Sequence, residues 1–416
     1  MSTNAEAPPP GAVLAAGEVE SLRDVLRGVA DNLRAGEIGS LPALIGLLAI
    51  VLVFSLTEPP GTFFTAVNFN NVISQMSGTV ILAFGVVFVL LLGEIDLSIS
   101  FLSGVAGVIV AELQLPGSGH QLPGLVAIIL AIAAGALIGA FQGSVIALIG
   151  VSSFAVTLAG FIAWQGVIEK SLSQGVIVIQ NNLINDVTNY RFTDETSWII
   201  AAAISFVYVA GTVANAISHR RAGLPVRNRP VLAAKLIAIP GLVFGVVAIS
   251  TTDPTRGFPF IGLLIIAMLL LLTYVAKRTT FGRHVYAVGG NAEAARRAGI
   301  NVARIRILVF MISGAMSGLG GVVLASRLRS VDLNAGGGTL LIDAIAAAVI
   351  GGTSLFGGRG EVRDALFGAA IIATIDNGLN IFGYSSGVIF ITTGCILLLA
   401  VTLTTVLRKR QAAAGR

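Results

Sequence analysis

The sequence has few charged residues and few of the side chains that build catalytic or metal sites. Only 11% of its 416 residues are charged, whereas an ordinary soluble domain carries about 25%, so the chain has too few charges to cover a water-facing surface. The three histidines, His120, His219 and His284, lie far apart, and there is no H-E-x-x-H motif or cysteine cluster. This spacing argues against a metal site. The single cysteine, Cys395, excludes an intramolecular disulfide.

The motif that binds nucleotide phosphates is missing as well. No G-x-x-x-x-G-K-[ST] stretch occurs, so the chain does not bind a nucleotide through a P-loop. The isoelectric point near 9.7 would suit a nucleic-acid partner, but the basic residues lie between hydrophobic runs, where membrane topology explains them. We therefore predict a protein with no enzymatic activity, no bound cofactor and no nucleic-acid partner.

Long hydrophobic runs are what the sequence has in abundance. The chain is 55% hydrophobic with a mean hydropathy of +0.91 and contains 50 glycines, which let transmembrane helices approach closely. Runs of about 15 to 20 apolar residues match the thickness of a bilayer core. We predict an all-α polytopic membrane protein with about 10–12 transmembrane helices, several of them short or broken. The predicted segments are 41–57, 78–93, 97–113, 123–149, 153–169, 198–217, 236–250, 260–276, 307–325, 341–356, 365–376 and 387–407.

The basic residues predict the orientation of these segments. All but five of the 26 lie in the segments 1–40, 218–235, 277–306 and 357–364 and in the C-terminal tail. Because loops rich in Lys and Arg stay in the cytoplasm, both termini are predicted to be cytoplasmic. The remaining five, predicted outside, are Lys170, Arg191, Arg256, Arg327 and Arg329.

The predicted domains are a cytoplasmic tail at 1–40, a transmembrane domain at 41–408 and a cytoplasmic tail at 409–416. Within the first tail, residues 18–34 place Leu22, Val25, Leu26, Val29 and Leu33 on one helical face. That amphipathic helix either lies on the membrane lipid or docks on a partner subunit. The longest predicted outside loop, 170–197, is polar and is either a connector or a surface for a soluble partner.

A short helix is predicted inside the cytoplasmic loop 277–306. Asn291 is a suitable N-cap, Glu293 lies in the first turn, and Gly299 is placed to end the helix. About two helical turns are too short to be stable in water unless they pack against something. Two interpretations remain open on composition. The helix lies on lipid headgroups, or Arg296 and Arg297 contact acidic groups of a partner.

The spacing Glu293-Ala294-Ala295 to Gly299 resembles the coupling-helix motif, E-A-A-x-x-x-G, of ABC importer permeases. Other stretches agree, namely LLGEIDLSIS (91–100), VSSFAVTLAG (151–160), FGRHVYAVGGNAEAARRAGI (281–300), IDAIAAAVIGGTSLFGGRG (342–360) and NGLNIFG (377–383). Over residues 41–408 the chain resembles the monosaccharide permease family of bacterial ABC importers, whose members include ribose, galactose and xylose permeases. An extra helix pair at 198–250, absent from the ribose-type members, resembles the D-xylose permease branch.

The resemblance implies a transport subunit of the bacterial inner membrane with no ATPase site of its own. Two copies would form the channel, and ATP would be bound by a separate cytoplasmic ATPase subunit that contacts residues 291–299. A soluble sugar-binding protein would deliver the sugar from outside. An alternative stays open at this stage, a self-contained sugar transporter coupled to ions. It would need intramembrane ionisable residues that pair or relay protons.

Polar residues and glycine pairs inside the hydrophobic runs are candidates for a sugar pathway. A carboxylate at bilayer depth costs roughly 2.5–3.5 kcal/mol, so each one is expected to face protein or water. The candidate pathway residues are Asp96, Ser98, Asp343, Asp376 and Asn377, whose alternative role is to cap broken helices. Paired interruptions of hydrophobic segments in the two halves of a transporter point to its central pathway. The predicted helix breaks are Gly93, Gly351, Gly352, Gly357 and Gly358.

Overall fold

The computed structural model describes residues 41–57, 62–117, 119, 121–172, 175–221, 229–252, 257–396, 398, 399 and 402. The predicted amphipathic helix at 18–34 and the tails 1–40 and 409–416 lie outside the described residues. Within the described residues the chain forms helices and one two-stranded antiparallel sheet.

The helices and strands follow one another as α1 (Leu41–Thr57), α2 (Ala66–Leu91), α3 (Ile99–Glu112), α4 (Gly124–Ser144), α5 (Ser153–Ser171), β1 (Val176–Val178), α6 (Asn182–Asn189), α7 (Asp194–Arg221), α8 (Arg229–Ser250), α9 (Phe260–Arg278), α10 (Thr280–Gly290), α11 (Ala292–Arg297), α12 (Val302–Leu328), β2 (Ser330–Asp332), α13 (Leu340–Gly351), α14 (Val362–Ile381) and α15 (Ser386–Ile396). A π-helical turn, Val145–Ile149, extends α4.

Each of the twelve predicted hydrophobic segments overlaps a helix, and the largest difference is at the start of α2. That helix begins at Ala66, twelve residues before the predicted segment. The hydrophobic pattern does not include its first turns because they carry polar residues. Thr65 caps it by accepting a hydrogen bond from the Asn68 amide at 3.1 Å. Asn68, Asn70 and Ser77 are buried against other parts of the protein, so this polar stretch belongs to the helix and is not a solvent-exposed loop.

Six helices of the described part are long and apolar enough to cross a membrane: α2, α4 with its π-helical turn, α7, α8, α9 and α12. Four shorter apolar helices are α1, α3, α13 and α15. The prediction of an all-α polytopic membrane protein is confirmed, and the total of ten to twelve crossings stays a prediction.

The chain falls into two compact units. One contains the described residues of Glu195–Ala248, which comprise nearly all of α7 and α8. In that unit the Trp198 ring stacks on the Phe244 ring, with centroids 6.0 Å apart. These two helices occupy the position of the extra pair predicted at 198–250. The other unit contains the remaining described helices and both strands.

The larger unit is built around α2 and α12. Every residue of α2 from Val80 to Leu91 is buried, so this half of the helix is apolar all round and lies at the centre. The long helix α12 packs against α2, α3 and α4. On its other side α4 exposes Leu137 and Phe141, as a helix that borders lipid would.

The contact between α4 and α12 depends on glycine. Gly135 and Gly139 of α4 face Gly314 and Gly318 of α12. A side-chain carbon on Gly135 would overlap the Gly314 carbonyl oxygen, and one on Gly139 would overlap the Phe310 carbonyl oxygen. The two backbones are therefore in direct contact. The glycines of both helices are spaced as G-x-x-x-G, and in this structure they form a helix contact within one chain.

The polar segment at 170–197 contains β1 and α6. β1 pairs with β2, which directly follows α12, with Val178 opposite Ser330. The Thr188 hydroxyl donates to the Val323 carbonyl at 3.0 Å, and the side-chain amide of Asn189 donates to the Ser326 carbonyl at 2.8 Å. The segment is therefore fixed to the end of α12.

Gly139→Ala tests the α4–α12 contact. The added methyl group collides with backbone, which cannot rotate away, so we expect the free energy of unfolding to fall by about 1–3 kcal/mol. The measurement is the melting temperature of the purified protein in detergent. Gly166→Ala on α5 is the matched control, because nothing lies within 4 Å of the added carbon. A melting temperature for Gly139→Ala equal to that of the control would contradict the close contact.

Candidate functional site

The short helix α11 has the beginning and end that the sequence predicts. The Asn291 side-chain oxygen accepts a hydrogen bond from the Ala294 amide at 2.9 Å. At the other end, Gly299 has φ +85°. The Gly299 amide donates to the Arg296 carbonyl and the Ile300 amide donates to the Ala295 carbonyl, each at 3.0 Å. This pair of hydrogen bonds is a Schellman motif, which needs a left-handed residue where Gly299 stands.

Ala295 attaches α11 to the rest of the protein. It is 5% exposed and belongs to the main hydrophobic core. The other predicted residues of the motif, Asn291, Glu293, Ala294, Arg296, Arg297 and Gly299, are all exposed. Ala292 of the same helix is partly buried and packs against that core as well, so the helix is held through two small side chains and presents the rest of the motif outward.

Glu293 pairs with both arginines. Its carboxylate lies 2.7 Å from Arg296 Nη1 and 3.2 Å from Arg297 Nε. In one of the two interpretations that the composition leaves open, Arg296 and Arg297 contact acidic groups of a partner. In the isolated chain they contact their own glutamate. Exposed ion pairs of this kind contribute only about 0–1 kcal/mol, so a partner's carboxylate can replace Glu293 at small cost.

An open cleft of about 360 Å³ lies beside α11. Arg296 and Gly299 line one side, and residues 300–303 and Arg306, at the start of α12, line another. Ala147, in the π-helical turn, completes the lining. The cleft gives a partner surface both a basic side chain and a concave apolar wall.

Two of the predicted helix breaks meet in space. The backbone of Gly93, after α2, approaches the Phe356 carbonyl, which lies 3.3 Å from the position of a Gly93 side-chain carbon. The Gly358 amide donates to the Leu91 carbonyl at 2.9 Å. Gly351 is the last residue of α13, and Gly352 is its C-cap. A side-chain carbon on Gly351 would overlap the Asp364 carbonyl oxygen.

Helix α10, which leads directly into α11, sits on this meeting point. A side-chain carbon on Gly289 would overlap the Leu91 carbonyl oxygen and lie 2.9 Å from the Gly358 amide nitrogen. The four residues Gly93, Gly289, Gly357 and Gly358 therefore form one backbone-to-backbone contact, which we call the helix-break junction. Because the backbones touch each other there with no side chain between them, a movement of α10 would displace both breaks.

Polar contacts hold α10 in place over the junction. The Tyr286 hydroxyl of α10 donates to the Gly360 carbonyl at 2.7 Å. Lys277, in the last turn of α9 just before α10, lies 2.8 Å from Glu361. Burial raises the pKa of Tyr286 to about 12, and the negative charges of Glu361 and Asp364 add to the effect. The phenol is thus protonated at neutral pH and donates throughout the physiological range.

An ion pair between a buried carboxylate and a half-buried arginine connects the first break to α12. Arg306, in the second turn of α12, lies 2.6 Å from the Glu94 carboxylate. Burial raises the pKa of Glu94, and the neighbouring Arg306 acts in the opposite direction. Removing Arg306 would leave the buried Glu94 carboxylate without its counter-charge, so the pair attaches the two segments to each other. The stretch on either side of α11 therefore contacts the break twice, through Gly289 and through Arg306.

Sequence reasoning missed Gly289, Tyr286 and Arg306. The first two lie within the motif stretch 281–300 and the third follows it closely, but nothing in the spacing indicates that they contact the breaks. The glycine pair directly before the N-cap was the available signal, because glycine is a usual residue where another group approaches the backbone closely.

Asp96 and Ser98 belong to a buried network of hydrogen bonds. Asp96 accepts from the Ser98 amide at 3.0 Å, from the Ser98 hydroxyl at 2.7 Å and from the Ser313 hydroxyl at 2.7 Å. Ser98 also lies 3.0 Å from the Gln142 side-chain oxygen. The carboxylate is satisfied within the protein and attaches the start of α3 to α12, which favours the predicted alternative of stabilising a broken helix.

Asp343 on α13 and Asp376 on α14 carry carboxyl groups that influence each other, and Asn377 follows Asp376 in the chain. Asp343 accepts from Thr339 at 2.7 Å, and its carboxyl interacts electrostatically with that of Asp376. The Asn377 amide donates to the Gln75 side-chain oxygen on α2 at 3.4 Å. The buried Asn377 side-chain oxygen has no hydrogen-bond partner among the described residues. This acceptor is available to a hydroxyl group.

A family model and several curated relatives match most of the chain. Residues 68–406 match the family model described as "Branched-chain amino acid transport system / permease component". The xylose transport system permease protein XylH of Escherichia coli K12 is 37% identical over 370 residues, 88% of this chain and 92% of the relative. Its counterpart in Haemophilus influenzae is 35% identical over 365 residues, 88% of this chain and 96% of the relative.

The ribose import permease protein RbsC of Escherichia coli K12 is 33% identical over 359 residues, 86% of this chain and 91% of the relative. No solved structure matches the chain. The match to the family model covers well over half of the residues, and the relatives match over almost their whole length. The chain therefore belongs to this family of transport-system permease components.

Proposed function

We propose that this permease component is the membrane-spanning subunit of an ABC importer for a monosaccharide, D-xylose or a similar sugar. The observation that carries the proposal is α11, a helix fixed by Ala295 with the rest of its motif exposed. The family description names branched-chain amino acids, whereas the relatives that match along the chain are xylose and ribose permeases. The higher identity to the xylose permeases supports xylose over ribose.

In the proposed assembly, a cytoplasmic ATPase subunit binds ATP and grips α11, and this chain binds no cofactor. A soluble sugar-binding protein delivers the sugar from outside, and two copies of the chain enclose the channel in the bacterial inner membrane. Both termini are cytoplasmic in this arrangement, as the distribution of basic residues predicts. The exposed apolar side chains of α4 support contact with membrane lipid.

Coupling follows from the contacts around α11. Closure of the ATPases moves α11, and the same displacement passes to α10 and to the start of α12. Gly289 then acts on the backbone of both breaks, and Arg306 acts on Glu94. Close-packed contacts have discrete arrangements, so a small shift at α11 becomes a switch between two states of the breaks.

The sugar pathway is proposed to pass Asp343, Asp376 and Asn377. The unpaired oxygen of Asn377 and the two carboxylates are acceptors for hydroxyl groups. Asp96 and Ser98, the other predicted pathway residues, are proposed to act on the pathway through the broken helix that they stabilise.

A pull-down from native membranes together with an uptake assay tests this function. Tagged wild-type chain, solubilised in detergent, is expected to co-purify with an ATPase, and cells that express the full system are expected to accumulate radiolabelled xylose. Excess unlabelled xylose should compete better than ribose or leucine. Transport by the chain alone in liposomes, with no ATPase bound, would show an ion-coupled transporter instead. Competition by leucine alone would contradict the sugar.

Gly299→Asp tests the role of α11. The left-handed backbone disfavours a side chain, and a negative charge at the end of α11 opposes the helix dipole, so the helix loses its defined end. We expect normal insertion and continued ATP hydrolysis, with sugar uptake reduced by about ten-fold or more. Gly290→Asp adds the same charge nearby at a position with open space. Normal uptake by the Gly299 variant would remove the case for coupling through α11.

Gly289→Ala tests the helix-break junction. The methyl group would collide with the Leu91 carbonyl oxygen, so the junction opens while α11 and its motif stay intact. We expect the ATPase to co-purify as with wild type while uptake falls by about ten-fold or more. The matched control is Gly290→Ala, whose added carbon has nothing within 4 Å. Equal uptake by the two variants would show that the junction does not transmit the movement.

A further inference from the structure

Helix α5 contacts the rest of the described protein through one side only. Thr157, Gly160 and Ile168 are buried on that side, whereas Phe154 and Ile162, on the other side, are 52% and 64% exposed. Among the described helices, α5 packs chiefly against α3. The position of α5 is therefore determined by the groups that its buried side contacts.

The buried side of α5 lies along the first break, residues 93–98. The Thr157 hydroxyl lies 3.3 Å from the Ile95 carbonyl oxygen. One turn further along α5, a side-chain carbon on Gly160 would lie 3.1 Å from the Ser98 side-chain carbon. Two successive turns of α5 thus lie directly against the break.

Trp164, one turn beyond Gly160, has a buried donor without an acceptor. Its indole N–H has no hydrogen-bond partner among the described residues. A side-chain carbon on Gly160 would lie 3.2 Å from this nitrogen and would overlap the side-chain nitrogen of Gln142 on α4. The indole and the Gln142 amide therefore border the same point. An unpaired buried donor is costly, so an acceptor is expected there.

The Ser98 hydroxyl indicates which end of the Gln142 amide faces Trp164. A hydroxyl has one proton to donate, and Ser98 donates it to the Asp96 carboxylate at 2.7 Å. The oxygen end of Gln142 lies 3.0 Å from this hydroxyl, whose proton is already used, and the nitrogen end lies beside another donor, the indole. A half-turn of the amide leaves its shape unchanged and pairs both ends.

We propose that Trp164 and Gln142 are positioning residues for transport, joined to Asp96 in one hydrogen-bonded chain. The indole donates to the Gln142 oxygen, the Gln142 nitrogen donates to Ser98, and Ser98 donates to Asp96. The same carboxylate accepts from Ser313 on α12. The chain thus connects α5 and α4 to the start of α3 and to α12.

This inference rests on the proposed function, in which closure of the ATPases displaces α11 and, through the helix-break junction, the first break. Helix α5 would follow that displacement, because its buried side lies against the break and the hydrogen-bonded chain attaches it there. Trp164 and Gln142 act through Asp96 and do not contact the sugar. Loss of either residue would leave the ATPases active and would weaken the link between their closure and α5.

Spectroscopy on the full chain in detergent tests the hydrogen bond of Trp164. The chain has two tryptophans, and Trp198→Phe leaves Trp164 as the only one while it keeps an aromatic ring against Phe244. The indole N–H bending band in the ultraviolet resonance Raman spectrum reports whether the N–H is hydrogen-bonded. We expect the band to move from the hydrogen-bonded to the free position in Gln142→Met, which keeps the length of the side chain. The same band position in both proteins would overturn the chain.

Uptake by the complete importer in proteoliposomes tests the positioning role. Trp164→Phe and Gln142→Met are each expected to lower sugar uptake by about five-fold or more while ATP hydrolysis continues. The double variant is expected to lose no more than either single variant, because both remove the same hydrogen bond. Gln165→Met is the matched control, because Gln165 is exposed on the same helix. Melting temperatures verify folding. If Gln142→Met fails this check, Gly160→Ala replaces it, since the added carbon displaces the Gln142 amide, with Gly166→Ala as its control.

Each result separates the positioning role from the proposed function. Wild-type uptake by both Trp164→Phe and Gln142→Met would overturn the positioning role and leave the proposed function intact. An equal loss of uptake in Gln165→Met, or additive losses in the double variant, would overturn it as well. If the wild-type importer shows no ATP-driven uptake, the proposed function fails and the positioning role fails with it.

Discussion

The direct backbone contact at the helix-break junction is the constraint on which the rest of the account depends. Gly289 lies against the Leu91 carbonyl, and the Gly358 amide donates to that same carbonyl. No side chain separates the three segments, so none of them can move far without the others. The junction thereby connects the two helix breaks, at Gly93 and at Gly357 and Gly358, to α10, which leads into the exposed motif on α11.

The long helix α12 connects that junction to the opposite end of the larger unit. Arg306 near its start contacts Glu94, Ser313 in its middle donates to Asp96, and Ser326 near its end fixes α6. The glycine contact with α4 holds the helix at close range along its length. In the proposed importer, a displacement of α11 would therefore pass along α12 to the end that α6 contacts.

Much of the fold is readable from the sequence because the bilayer imposes it. Runs of apolar residues overlap helices, and the cap residues Asn291 and Gly299 determine α11 through local hydrogen bonds. The start of α2 was missed because polar residues there are buried by tertiary contacts, which periodicity does not report. Local patterns extend over a few residues, so they indicate a cap or a break and say nothing of what lies against it.

The candidate site shows the same limit. The sequence identifies Gly93, Gly357 and Gly358 as breaks, but their contact joins residues more than 260 positions apart, and only the structure brings them together. Asp96 and Asn377 look alike as polar residues in apolar runs. One is satisfied by three hydrogen bonds, and the other retains a buried oxygen without a partner in the described part of the chain. That distinction depends on neighbours from other helices.

Site-specific photo-crosslinking most directly tests the central claim that α11 is the contact for an ATPase subunit. A benzophenone amino acid replaces Arg297, which is exposed on α11, and in a second variant it replaces Lys170 at the end of α5. After irradiation of native membranes, the account predicts an adduct with the ATPase from position 297, with a yield that changes when ATP is added, and no such adduct from position 170. An importer that still transports sugar but gives no ATPase adduct from position 297 would contradict it.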